Sequence, residues 1–286
     1  MLTSSLSLPS HGRLALVGAA LLLTGAVPAL AQPKAASPEI ATYADLATLA
    51  DAAPLVVRAT VKDQVTVKPE RAPGLAAGYG RLYIEARTIA LLAGSAPLGE
   101  SLRYLVDVPL DARGKVPKFK KKDVILFARA VPSRPGELQL VAPDAQLPWS
   151  QQLEARLRPI LTAFASPDAP PRVTGIRDAI SSAGNLAGES ETQIFLETAE
   201  NDPAALTIIR RPGMAPRWGV SFAELVDQSA RPPAPGTLGW YRLACALPAD
   251  LPESAIYSDD ATDRARAQED YAFVMDQLGA CERTRS

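Results

Sequence analysis

Histidine is nearly missing from this chain: His11 is the only one. It lies in a stretch expected to be removed on export, which leaves a mature protein without imidazole. That excludes Ser–His and Cys–His nucleophilic pairs, histidine-based proton transfer and histidine-containing zinc sites. Cysteine is scarce too, with only Cys245 and Cys281, and their spacing cannot form the C-x-x-C of a redox pair. There is no S-x-x-K, no G-x-S-x-G, no phosphate-cradling P-loop and no full G-x-G-x-x-G, since Gly78-Tyr79-Gly80 stands alone in a turn. Lysine disappears after Lys122, and beyond that point the cations are arginines. Net formal charge is −1, so nothing draws the chain to nucleic acid in bulk. No cofactor, metal or catalytic residue is expected. The inventory argues against an enzyme, and only carboxylate chemistry survives it.

Long apolar runs are also lacking, with one short exception at the start. Arg13 precedes an apolar stretch from Leu14 to Val27, and Ala29-Leu30-Ala31 places small residues where a signal peptidase reads them. Fourteen residues fall short of the roughly twenty that a membrane span needs. Residues 1–31 are therefore expected to be a signal peptide cut between Ala31 and Gln32. A flexible Ala/Pro-rich leader follows at 32–41. The mature protein is expected to be periplasmic and soluble, without stable insertion in a membrane.

Export makes the cysteine pair meaningful. An even count in an oxidising compartment reads as a disulfide. Leu238, Tyr241 and Cys245 share one stripe of an expected helix from Thr237 to Leu247. Ala267, Tyr271, Val274 and Leu278 stripe a second helix from Asp260, with Cys281 falling next on that stripe. Both thiols thus point toward one core, and a Cys245–Cys281 bridge is expected.

Thr42, with Asp45 three residues on, opens a short helix to about Ala52. From Val57 to Lys68 apolar and polar residues alternate with one break at Asp63, which predicts a half-buried, bulged strand. Four further strands are predicted at 81–91, 102–108, 124–131 and 138–141, separated by Gly/Pro turns. Helix, long strand, Gly-marked turn, a strand ending in Leu91-Leu92-Ala93-Gly94, another strand, and then Pro117-x-Phe119-x-x-x-Asp123-Val124-Ile125-Leu126-Phe127 follow in that order. This order resembles the OB-fold-like barrels of exported bacterial proteins of unassigned function, over about residues 42–148. The resemblance implies a fold and no activity.

Residues 150–171 read as a helix, kinked or split at Pro159, and a linker. Residues 172–286 read as a second domain of mixed type. It holds a helix at 174–182, strands near 192–198, 206–211 and 217–220, a helix opened by Ser221 and Glu224, and the two cysteine-bearing helices. The fold class expected is α+β: a small antiparallel OB-like β-barrel at 42–149, then a small helix-covered sheet domain.

Three residue groups are candidates for chemistry. Glu189, Glu191 and Glu197 cluster on one strand, and Asp259, Asp260 and Asp263 at a helix start. Two such carboxylates could serve a hydrolase if they faced each other, although a solvated strand face and a helix N-terminus explain them more simply. Lys115, Lys118, Lys120, Lys121 and Lys122 surround Phe119, a pattern able to hold a polyanion on an exposed ring. A charged loop shielding a sheet edge, with Phe119 plugging the barrel, is the plainer reading. Arg210, Arg211, Arg217 and Trp218 form a weaker basic–aromatic group. The expectation is a non-catalytic binding or envelope-interaction module whose partner is an envelope protein or glycan. The alternatives are a carboxylate-dependent hydrolase and a polyanion-binding barrel.

Overall fold

The computed structural model describes residues 41–95, 97–223 and 231–285. The predicted signal peptide, its cleavage point at Ala29, Ala31 and Gln32, and nearly all of the leader lie outside them. Two antiparallel sheets, of six and four strands, pack with four helices among the described residues, so the α+β class is observed. Both sheets belong to one compact unit, Ile40–Ser286.

Thr42 accepts from the Asp45 N–H while the Asp45 carboxylate takes the Thr42 N–H, and this reciprocal cap starts α1 (Tyr43–Ala52). Strand β1 (Leu55–Thr66) buries Val57, Ala59 and Val61 on its inner side. The expected bulge falls between Val61 and Asp63. One extra residue there exchanges the faces of the strand. Val65, expected in the core, is consequently turned outward and is 57% exposed. Strands β2 (Tyr79–Ala93), β3 (Ser101–Pro109), β4 (Asp123–Ala130) and β5 (Leu138–Leu140) complete the order β3-β2-β1-β4-β5. A short β6 (Gln146–Pro148), absent from the sequence reading, pairs with β4.

The sheet curls until β5 approaches β3, but they meet at a single parallel bridge between Arg103 and Glu137. No closed barrel forms, which corrects the expected one. After the bridge the chain leaves β5 for the loop at 141–145 and no ladder runs between the two strands. Inside the curl Val57, Leu82, Ile84, Leu102, Val124 and Leu126 make the core.

Helix α2 (Gln151–Ala165) runs unbroken through Pro159 rather than splitting. Pro159 and Ala155 both lie on its exposed side, so the carbonyl that loses its N–H partner stays open to water. The second sheet has the order β10-β9-β8-β7 from β7 (Val173–Ala183), β8 (Ser190–Thr198), β9 (Ala205–Arg210) and β10 (Arg217–Ser221). Residues 174–182 are therefore strand and not the predicted helix. Ile176 and Ile180, four apart, fit a helical stripe as well as a strand face, and bulges after Val173 and Ile176 interrupt the alternation that would mark a strand, leaving Ala179 buried and Ile180 exposed. The helix expected to open at Ser221 lies outside the described residues from Glu224 on; Ser221 ends β10, and Phe222 and Ala223 follow it outside any helix.

Helices α3 (Leu238–Ala244) and α4 (Ala261–Leu278) close the molecule. Cys245 and Cys281 are bonded, as expected. Cys245 caps α3, while Cys281 lies three residues beyond the end of α4 and not on its stripe. Helix α3 also joins α1: Trp240 meets Tyr43 edge-on, and Arg242 pairs with Asp51 at 3.0 Å.

Candidate functional site

A concavity lies at the gap left by the unclosed sheet. Arg103 donates its N–H to the Gly136 carbonyl at 2.8 Å, and Asp107 donates its own to Pro143 at 2.8 Å. Between these two pegs β3 and β5 part, and a groove of about 700 Å³ opens. That volume lies within the range of ordinary ligand sites.

Strand register dictates what faces it. Val65 pairs with Tyr83, and Tyr83 with Leu105, so the three form one row across β1, β2 and β3. The row is apolar, and Leu105 at its groove end is 49% exposed. On either side run charged pairs. Arg81 grips Asp107 with two bonds of 2.7 and 2.8 Å, and the carboxylate holds the guanidinium above its usual value. Arg103 stands beside Glu85 in the register, exposed and with no ion-pair partner within 4.0 Å. Across the gap Arg134 pairs with Glu137 at 3.3 Å, and Val131, Val141 and Pro143 supply apolar walls. Tyr104 points inward and donates to Gln146 at 2.7 Å; its burial pushes the phenol well above the normal range, so it stays neutral.

The two carboxylates that line the groove, Asp107 and Glu137, are each bound to an arginine, Arg81 and Arg134. The groove offers an apolar strip, one free guanidinium and a strand edge without a ladder partner.

The residues singled out from sequence lie elsewhere. Phe119 is half-buried against the core rather than exposed, which removes the stacking ring. Its N–H and the Pro117 carbonyl are both held by the Gln64 amide, and Lys120 pairs with Asp63 at 3.1 Å. Lys115, Lys118, Lys121 and Lys122 are exposed around this pinned loop and do not line the β3–β5 groove. Gln64 can reach it because the same bulge that expelled Val65 turned Gln64 inward.

The acidic residues are engaged locally. Asp260 caps α4, and the Thr262 and Asp263 N–H groups hold its carboxyl below the usual range. Asp263 pairs with Arg266 at 2.8 Å, Glu191 accepts from Gln193, and Glu189 accepts from the Leu186 N–H. Glu197 abuts Gly175, and neither it nor Asp259 lines the groove. Among the described residues no three of His, Cys, Asp or Glu gather as a metal site. In the basic–aromatic group, Arg210 is engaged by Asp270 and Glu269, Trp218 is buried, and Arg211 and Arg217 are exposed.

Tyr83, Arg103 and Leu105 were not among the sequence candidates. One signal existed: in the alternation of β3, Leu105 breaks an otherwise polar face. No family model matches the chain, and no curated protein matches it in sequence.

Proposed function

We propose that this chain is a non-catalytic binding module of the cell envelope that holds an extended, acid-bearing peptide segment of a partner in the β3–β5 groove. In this reading residues 1–31 export it to the periplasm, and the curled sheet is an open relative of the OB-like barrels it resembles. One observation carries the proposal: an exposed apolar row, Val65–Tyr83–Leu105, runs into a groove at an unladdered strand edge beside the unpaired Arg103. An extended peptide has what that surface accepts. Its main chain meets the strand edge, an apolar side chain covers Tyr83 and Leu105, and an acidic one meets Arg103.

The test is an NMR titration of the full mature chain with a heptapeptide alternating valine and glutamate. The proposal expects amide shifts at Tyr83, Arg103, Leu105 and Val141. Shifts confined to residues 115–122 would transfer the site to the lysine loop, and turnover of the peptide would make the protein an enzyme; either result overturns it.

A further inference from the structure

We propose that residues 281–285 form a strap that fixes the far wall of the groove, with Arg285 as its positioning residue. Its consequence for binding rests on the groove being the ligand site; the mechanical link does not.

The strap begins where α4 stops. The Trp240 indole N–H holds the Leu278 carbonyl at 2.8 Å, and Gly279, at φ 69°, turns the chain where a side chain would be strained. Cys281 is then bonded to Cys245. Beyond it, three donors converge on the Asp45 carboxylate: the Thr284 N–H at 3.1 Å, its hydroxyl at 2.7 Å and the Arg285 N–H at 3.2 Å. Asp45 is 2% exposed and also serves Thr42 at the start of α1, so the strap is seated on a fixed point away from water.

From that seat Arg285 reaches the loop before β6. Its guanidinium donates to the Asp144 carboxylate at 2.6 Å and to the Asp144 carbonyl at 2.8 Å. The same loop is fastened to β3 on its other side. Pro143 accepts from the Asp107 N–H, and Gln146 accepts from the Tyr104 hydroxyl. These two fastenings bracket Leu105. Pro143 and Ala142 line the groove directly. A side chain far along the sequence thus holds the wall at a set distance from the apolar row. Without Arg285 the loop keeps its β3 contacts and the bonds of Val141 and Ala145 to Phe127 on β4, but Asp144 between those bonds loses its tie to the strap and the wall its fixed distance.

The size of each effect can be ranked. Opening the disulfide roughly doubles the free tether to Thr284, from Cys281 back to the pinned Leu278. Doubling a loop raises its opening by only about threefold. Removing Arg285 deletes both bonds to Asp144 and should do more.

Native-state hydrogen exchange on the full mature chain tests this without any ligand, so a failed peptide titration leaves the result readable. Arg285→Ala is expected to accelerate exchange of the Asp107 amide by about tenfold or more while the Ile194 and Val274 amides keep their rates. The charge swap Asp144→Arg with Arg285→Asp should restore protection at Asp107. Dithiothreitol should raise exchange at Thr284 by about threefold. Unchanged Asp107 exchange in Arg285→Ala, or no rescue by the swap, overturns the strap. Where the valine–glutamate heptapeptide binds, Arg285→Ala should weaken it severalfold, and equal affinity would overturn the strap's role in binding.

Discussion

Thr192 donates its hydroxyl proton to Asp270, a carboxylate on α4 with no exposed surface. Having one proton, that hydroxyl must accept from Ser181, 2.8 Å away on β7. Arg210 on β9 supplies the countercharge through its Nε. Three strands are thereby tied to one helix through a single buried acid. Burial acts against the charge on Arg210, and its bonds to Asp270 and Glu269 outweigh this and raise it above its ordinary value.

Removing Asp270 should be severe because it strands the other partners. Asp270→Ala leaves the Arg210 charge and the Thr192 hydroxyl without their acceptor, and breaking a buried pair costs about 3–5 kcal/mol. Thr192→Val removes one bond and should cost about 1–3 kcal/mol. Urea unfolding midpoints of the two variants check both values and their order.

The disulfide closes a separation of 36 residues. On the chain-entropy argument it stabilises by about 4 kcal/mol. Unfolding in urea with and without dithiothreitol should show a loss of that order. A loss under about 1 kcal/mol would mean that the packing of α3 on α4 alone holds this corner.

Acid should loosen the strap. Burial opposes ionisation of Asp45, yet the bonds from Thr284 and Thr42 outweigh it and keep its carboxyl below the ordinary range. A lowered folded value means that the stabilisation is full above the unfolded value of about 3.9 and fades as pH falls through the folded one. Asp45→Asn should flatten that acid limb. Stability of both proteins measured from pH 6 to pH 2 tests it.

What sequence could reveal followed local periodicity. The strands of the first sheet alternate cleanly, and the Thr42–Asp45 cap and the bulge at Asp63 were legible because each is a short-range pattern. Residues 174–182 misled because a spacing of four suits helix and strand alike and two bulges break the alternation that would have told them apart. The groove was invisible because it arises where β3 and β5 diverge after a single bridge, an event between segments more than thirty residues apart in the chain. The Asp270 network was hidden for the same reason: Ser181, Thr192, Arg210 and Asp270 meet only once sheet and helix pack. Phe119 could be read as a plug or as a stacking ring, because nothing local announces that Gln64 pins its loop.

The mature N-terminus provides an independent check on the proposed export. Protein secreted by an expressing bacterium should begin at Gln32 by mass spectrometry. Replacing Ala31 with a bulky residue such as Phe should leave the uncleaved form associated with membranes.

The central claim is that the β3–β5 groove, and not the lysine loop, is where a partner binds. Calorimetric titration of the valine–glutamate heptapeptide into three proteins tests this most directly: the wild type, Arg103→Glu, and the triple change Lys118→Glu, Lys120→Glu, Lys121→Glu. Loss of the charge-assisted contact should weaken binding to Arg103→Glu by about tenfold or more, a difference of about 1.4 kcal/mol. The triple variant should bind as the wild type does. Equal binding by Arg103→Glu, with loss in the triple variant, would contradict the account.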